Sequence, residues 1–305
     1  MAPPRSAVNL GSCIAGIPIT LHYTFFVLCG LYFVDAFLSH RSDYPVFMLF
    51  VVILYGPVLF VTILIHELGH ALMTKRLGGE VGGIVLWPLG GFALCGPVDS
   101  LRGELKVALA GPITHVFQGL VWWIVYASLA GSTHGWWPSW IVYLDVLSNG
   151  VAGFMEILSA QALWMNIVLL CFNLFLPAYP LDGGRIYAAS LILVFKMKSM
   201  AAAKVTAGTA MIISAGMILY SVYTFLARNA GSGILLGLVG VFVLYQSSDL
   251  WNSAKRNDLA NHPIFGRECY SDGNENSNSG GGGSGQERDQ EIDTVPAQTE
   301  EAEMV

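Results

Sequence analysis

In the run LFVTILIHELGHALM, residues 59–73, His66, Glu67 and His70 stand among apolar side chains. Helix positions i and i+4 share a face, so His66 and His70 can turn two neutral imidazoles toward one metal ion. Glu67 then flanks that ion with the chemistry of a general base. Two other readings stay open, a buried His–Glu pair and a proton relay of the transporter kind. A solvated face, where this spacing is usually found, does not fit an apolar run, because a charged group at membrane depth costs about 2.5–3.5 kcal/mol on insertion scales.

A catalytic zinc site takes three protein ligands and keeps one position open. A candidate third ligand comes 112 residues after His70, in NLFLPAYPLDGGR, residues 173–185. There an apolar stretch ends at Pro177 and Pro180, which cannot continue a helix. Asp182 follows, beside Gly183 and Gly184, which admit close backbone approach. Asp182 reads in two ways, as a metal ligand or as the N-cap of a following helix paired with Arg185.

The chain that must hold these groups is 54% hydrophobic and 12% charged, with a mean hydropathy of +0.58. A soluble domain carries about 25% charged residues. The composition therefore excludes a soluble globular protein and indicates a multi-pass protein of a lipid bilayer. A spanning helix needs about 20 mostly apolar residues, and six stretches qualify: 21–38, 46–73, 107–129, 158–176, 205–226 and 233–245. The second and fourth run in the same direction, so the two motifs reach the same half of the bilayer. Lys75 lies nine residues past His66, about 13 Å along a helix, which sinks the histidines below the surface.

Residues 78–97, rich in glycine and β-branched types, predict a hairpin with strands near 81–87 and 92–95. Such backbone survives at membrane depth only where protein or water covers it, and its edge offers a place for an unwound peptide segment to pair. Trp136, Trp137 and Trp140 form a candidate interfacial belt. The expected fold is an all-α polytopic membrane protein with six transmembrane helices, a short β-hairpin after the second, and a disordered C-terminal tail. Its segments are an N-terminal cytosolic stretch (1–15), a six-helix body (16–251) and an acidic tail (252–305), the tail dispensable from about Asp258 onward.

Six spans put twelve basic residues on one side and only Arg41 and Arg228 on the other. The excess marks the cytosolic side, and both termini fall there. The net charge of −6 comes from the tail, where residues 268–305 hold ten of the 21 acidic groups. The basic residues are scattered, so nothing points to nucleic acid. Five unpatterned cysteines do not make a disulfide framework.

From GIPITLHYTF (16–25) through ILIHELGHAL, the PLGGFA hairpin, ALAGP (108–112) and NLFLPAYPLDGGR to LLGLVGVFVLYQ (235–246), the chain resembles the site-2 protease family of intramembrane zinc metalloproteases. HExxH alone is a weak sign, whereas HExxH with a distant PLDGG in a later span is specific. The resemblance implies one zinc ion per chain held by His66, His70 and Asp182, with Glu67 as catalytic acid/base. It also implies a six-span core of the compact kind without a PDZ insertion, and substrates that are themselves transmembrane helices. Substrate-positioning or supporting roles fall to Asn166, Asn173, Gly90 and Gly91. The family pattern places Asn three residues before the first proline, while Asn173 lies four before Pro177 and Leu174 takes the usual place. His22, His115 and His134 lack ligand spacing and read as interfacial or packing residues. An inactive adaptor of the same fold would have lost a ligand or the glutamate, and none is lost. A proton-coupled transporter would show inverted repeats, and none is visible. A prenyl-peptide type of membrane protease would need a Glu as third ligand, and Glu156 sits at the opposite face.

Overall fold

The structure, a computed structural model, describes residues 7–37, 45–87, 90–130, 135–228, 233–260 and 262–266. Backbone in lipid must close its hydrogen bonds internally, and the long apolar runs accordingly form helices. In chain order the elements are β1 (Ala7–Ile14), β2 (Ile17–His22), α1 (Phe25–Ala36), α2 (Pro45–Ile53), a π-helical turn (Leu54–Val58) and α3 (Leu59–Arg76). Then follow β3 (Val81–Trp87), β4 (Gly90–Cys95), α4 (Leu101–Ala130), α5 (Leu144–Leu147), α6 (Gly150–Phe175), α7 (Asp182–Leu193), α8 (Ser199–Arg228) and α9 (Gly233–Lys255). The π-helical turn holds Pro57, whose missing N–H and ring disturb the regular ladder.

Five helical segments are long and apolar enough to cross a membrane: Pro45–Arg76, Leu101–Ala130, Gly150–Phe175, Ser199–Ala227 and Gly233–Lys255. The chain is thus an integral, multi-pass membrane protein. The first expected span is not among the five. Its start is taken by β2, and α1 has 12 residues, about 18 Å against roughly 30 Å of hydrocarbon. The end expected for it, residue 38, lies outside the described residues. Other helices run past their apolar windows because the hydrogen-bond ladder continues through charged turns. One case is α4, which starts at Leu101 and takes in Arg102, Glu104 and Lys106.

The expected two-stranded hairpin is half of a larger sheet. Four strands run in the order β1-β2-β3-β4, and β2 pairs with β3 in parallel through Ile19–Ile84, Thr20–Val85 and Leu21–Leu86. Residues 7–14 of the expected N-terminal stretch are therefore a strand. The β1–β2 turn is Ala15-Gly16, both at positive φ (50° and 70°), the two-residue geometry of a tight hairpin. Ala-Gly is a weaker signal for that turn than Asn-Gly, which hides it in the sequence. Lys75 Nζ donates to the Ala15 carbonyl at 2.8 Å and ties this turn to the end of α3. Ile17, Ile84 and Leu86 of the sheet pack with Leu59, Ile63, Leu68 and Ala71 of α3 in one buried cluster.

The chain also stays packed past the boundary expected at residue 252. α9 continues to Lys255, and beyond it Leu259, Ile264 and Phe265 are 2%, 3% and 0% exposed. They join Ala188, Leu191 and Ile192 of α7 and Leu250 and Ala254 of α9 in a second cluster. A polar composition from 252 onward masked three apolar residues spaced to fill one gap. Residues from 267 onward lie outside the described ones.

Removing those three side chains forfeits about 1.5–3 kcal/mol each. Truncation after Asp258 should lower the thermal unfolding midpoint in detergent by at least about 5 °C, while truncation after Gly266 should leave it in place. Equal midpoints for the two truncations would contradict this packing.

Candidate metal centre

α3 buries His66, Glu67 and His70 on its inner face. Asp182 opens α7 and is also buried. His66 Nε2, His70 Nε2 and Asp182 Oδ2 form a triangle whose three edges are each 3.1 Å. The cap reading of Asp182 is not what the geometry shows, since Leu181 is the N-cap of α7 and makes no side-chain cap bond. Arg185 lies nearer to Glu104 on α4 than to Asp182: Nη2 is 3.3 Å from Glu104 Oε2, and Nη1 is 3.9 Å from Asp182 Oδ1.

The outer hydrogen bonds select the tautomer each neutral ring adopts. His70 Nδ1–H donates to the Val107 carbonyl at 2.7 Å, which leaves its Nε2 a bare lone pair. The Asn166 amide donates to the Ala162 carbonyl at 2.9 Å, so its Oδ1 accepts from His115 Nδ1–H, also at 2.9 Å. His115 Nε2 is then an acceptor, and His66 Nδ1–H donates to it at 3.0 Å. His66 Nε2 is bare as well.

With both rings neutral, two imidazole lone pairs and a carboxylate oxygen therefore face one another in a buried space. Three acceptors in that arrangement repel, and a cation relieves them. The spacing fits as well, since tetrahedral ligands about 2.0–2.1 Å from an ion stand roughly 3.3 Å apart. The three side chains could hold a metal ion, and two nitrogens with one oxygen is a donor set that zinc accepts.

Glycines let the elements come this close. A Cβ on Gly111 of α4 would collide with His70 Nε2 and lie 2.8 Å from His66 Cε1. A Cβ on Gly69 would sit 2.6 Å from the Ala110 carbonyl oxygen, so α3 and α4 cross with each glycine facing the other helix. On the far side Glu67 Oε2 accepts the Ala93 N–H of β4 at 2.9 Å. A Cβ on Gly91 would collide with Glu67 Cγ. Gly90 has open space around it, and its φ of +137° is what requires glycine there.

Residues 57–219, more than half of the chain, match peptidase family M50. The chain belongs to that family. Zinc metalloprotease MJ0392 of Methanocaldococcus jannaschii is 31% identical over 232 residues, which cover 76% of this chain and 57% of that relative. The chain thus spans little more than half the length of this curated relative. A solved structure of a site-2 protease from Methanocaldococcus jannaschii is similar at a TM-score of 0.50 and 28% identity, over 80% of this chain and 95% of that one.

Of the residues singled out in the sequence, His66, His70 and Asp182 meet at one point, with Glu67, Gly91 and Asn166 around them. Asn173 is half-buried further along α6 and takes no part in these hydrogen bonds. His22 bonds Thr24 Oγ1 at 2.6 Å, away from the site, and His134 lies outside the described residues. Glu156 lies ten residues before Asn166 on α6, about 15 Å away along the helix. His115 is the residue that spacing to His66 could not reveal. Its signal lay within α4, where Val107, Gly111 and His115 recur every four residues and so present one face.

Gly111→Ala should force α4 off the histidines and cost about 1–3 kcal/mol. Gly216→Ala meets open space and should be neutral or stabilising, since Ala exceeds Gly in helix propensity by roughly 1 kcal/mol. Thermal unfolding of both variants without metal tests the pair. A Gly111→Ala protein as stable as the Gly216→Ala protein would contradict the close crossing.

Proposed function

We propose that the chain is a zinc-dependent endopeptidase that hydrolyses peptide bonds within or beside the transmembrane helices of membrane-protein substrates. The observation that carries this reading is Glu67, anchored by the Ala93 N–H and adjacent on α3 to a buried triangle of two imidazole nitrogens and a carboxylate oxygen. Membership of peptidase family M50 supports it, as do the relative named a zinc metalloprotease and the solved structure titled a site-2 protease.

In this reading His66, His70 and Asp182 hold one zinc ion, and Glu67 is the acid/base. Bound there, zinc supplies Lewis acidity, polarising the scissile carbonyl and making water acidic near neutral pH. Glu67 takes the proton of the attacking water and returns it to the leaving amine. One carboxylate oxygen is held by Ala93 and the other stays free for that transfer. Gly91 leaves the carboxylate its room, and His115 with Asn166 keeps His66 in the ligating tautomer.

A helical substrate hides its peptide bonds and must unwind. β4 ends the sheet, with no strand on its outer side among the described residues, and Phe92 and Leu94 are exposed there. Its outward N–H at Ala93 already reaches Glu67. A segment pairing along that edge would lie beside the acid/base, in the manner of β-strand addition. Gly90 shapes the start of this edge, and Asn173, near the end of α6, is left as a substrate-positioning residue. With α1 as a short first span the body has six, both termini lie in the cytosol, and the catalytic body extends to Gly266.

Glu67→Gln preserves shape and removes the base. The variant should retain zinc and lose at least about a hundredfold in turnover of a model transmembrane substrate in detergent. Cleavage at the parent rate by the zinc-loaded variant would rule the mechanism out. Asp182→Ala should lower zinc occupancy, and full occupancy with full activity would put the third ligand elsewhere.

A further inference from the structure

Two of the three converging side chains share one helix, α3, and are held by its ladder. Asp182 differs. It follows the stretch 176–181, in which the prolines forbid a helix, so its position must be fixed from outside. The local bonds are short: Ala178 N–H to the Leu176 carbonyl at 2.8 Å, Leu181 N–H to the Ala178 carbonyl at 2.9 Å and Arg185 N–H to the Leu181 carbonyl at 3.1 Å. A Cβ on Gly184 would collide with Tyr179 N, so Tyr179 is pressed onto the first turn of α7.

Tyr179 is gripped at both ends. Its carbonyl lies 3.0 Å from Ser247 Oγ of α9, whose hydroxyl proton it shares with the Val243 carbonyl at 2.7 Å. Its hydroxyl is 3.1 Å from His262 Nε2. His262 Nδ1 accepts the N–H groups of Ile264 and Phe265 at 3.2 and 3.3 Å, so the ring proton is on Nε2 and points at Tyr179. Burial, with the Arg185 guanidinium nearby, pushes the His262 imidazole down to about 4, and it is neutral at pH 7. Its segment is seated by Leu259, Ile264 and Phe265 in the cluster that includes α7. The His262 ring packs on Phe265 with centroids 4.7 Å apart.

We propose that residues 259–260 and 262–266 are a strap, latched by His262 on Tyr179, that holds the 176–182 loop in the conformation presenting Asp182 and thereby sets the metal affinity of the site. The proposal rests on His66, His70 and Asp182 being metal ligands. His262 is a positioning residue that acts through Tyr179, and a segment polar enough to read as tail becomes part of the catalytic body.

The test uses the full chain. His262→Phe keeps a ring against Phe265 and removes both hydrogen-bonding nitrogens. Its zinc Kd, measured by competition with a chromophoric chelator, should weaken by about tenfold or more, the usual effect of losing a group that orients a ligand. His262→Gln, which supplies an acceptor and a donor at similar reach, should restore the affinity to within about threefold. Tyr179→Phe should weaken the affinity in the same direction, and adding it to His262→Phe should change little more, because the Tyr179–His262 bond is already lost there. Hydrogen exchange at Ala178, Leu181 and Arg185 in metal-free protein should speed up in His262→Phe and recover in His262→Gln. Unchanged exchange in His262→Phe and Tyr179→Phe would overturn the strap, and faster exchange with an unchanged Kd would overturn its control of the metal. If His66→Ala leaves zinc binding intact, the ligand reading fails instead, and the metal-free exchange still decides whether the strap holds the loop.

Discussion

Two imidazole nitrogens and a carboxylate oxygen stand 3.1 Å apart inside helices that turn apolar side chains outward, and the rest of the molecule is arranged so that this is tolerable. In a medium of low polarity each group must have its other valences satisfied. The Val107 carbonyl takes one ring proton, and the His115–Asn166–Ala162 chain takes the other. These partners sit on α4 and α6, so the histidines of α3 dictate where two further helices pass. Gly69 and Gly111 then follow from geometry, because no side chain fits where α3 and α4 cross.

The remaining elements divide the work between rigid and irregular backbone. The long helices hold groups whose positions must not vary. The four-stranded sheet and the 176–182 loop bring in what a straight helix cannot: a strand edge beside Glu67 and a carboxylate arriving from another direction. Non-helical backbone among membrane-spanning helices needs protein cover. The sheet finds it on Leu68 and Ala71 of α3, and the loop finds it between Ser247 of α9 and His262.

Much of this was legible in the residues. HELGH and PLDGG carry an intrinsic signal, since apolar runs do not tolerate histidine and acid without a reason. The β3–β4 hairpin showed in its glycines and β-branched residues. Three features were not legible, each for a physical cause. β1 and β2 lack a strong turn dipeptide, and Leu21 and His22 lead without a break into the apolar residues of α1. His115 pairs with His66 across 49 positions of sequence, a relation that spacing cannot show. Leu259, Ile264 and Phe265 are diluted among polar residues, and only the gap they fill on α7 reveals their burial.

The central claim is that the facing lone pairs of His66, His70 and Asp182 are the ligands of one zinc ion. X-ray absorption at the zinc edge of full-length, zinc-loaded protein measures this directly. The account predicts a shell of nitrogen and oxygen at about 2.0–2.1 Å with multiple scattering from two imidazoles. A sulfur shell near 2.3 Å, or scattering from fewer than two imidazoles, would contradict it.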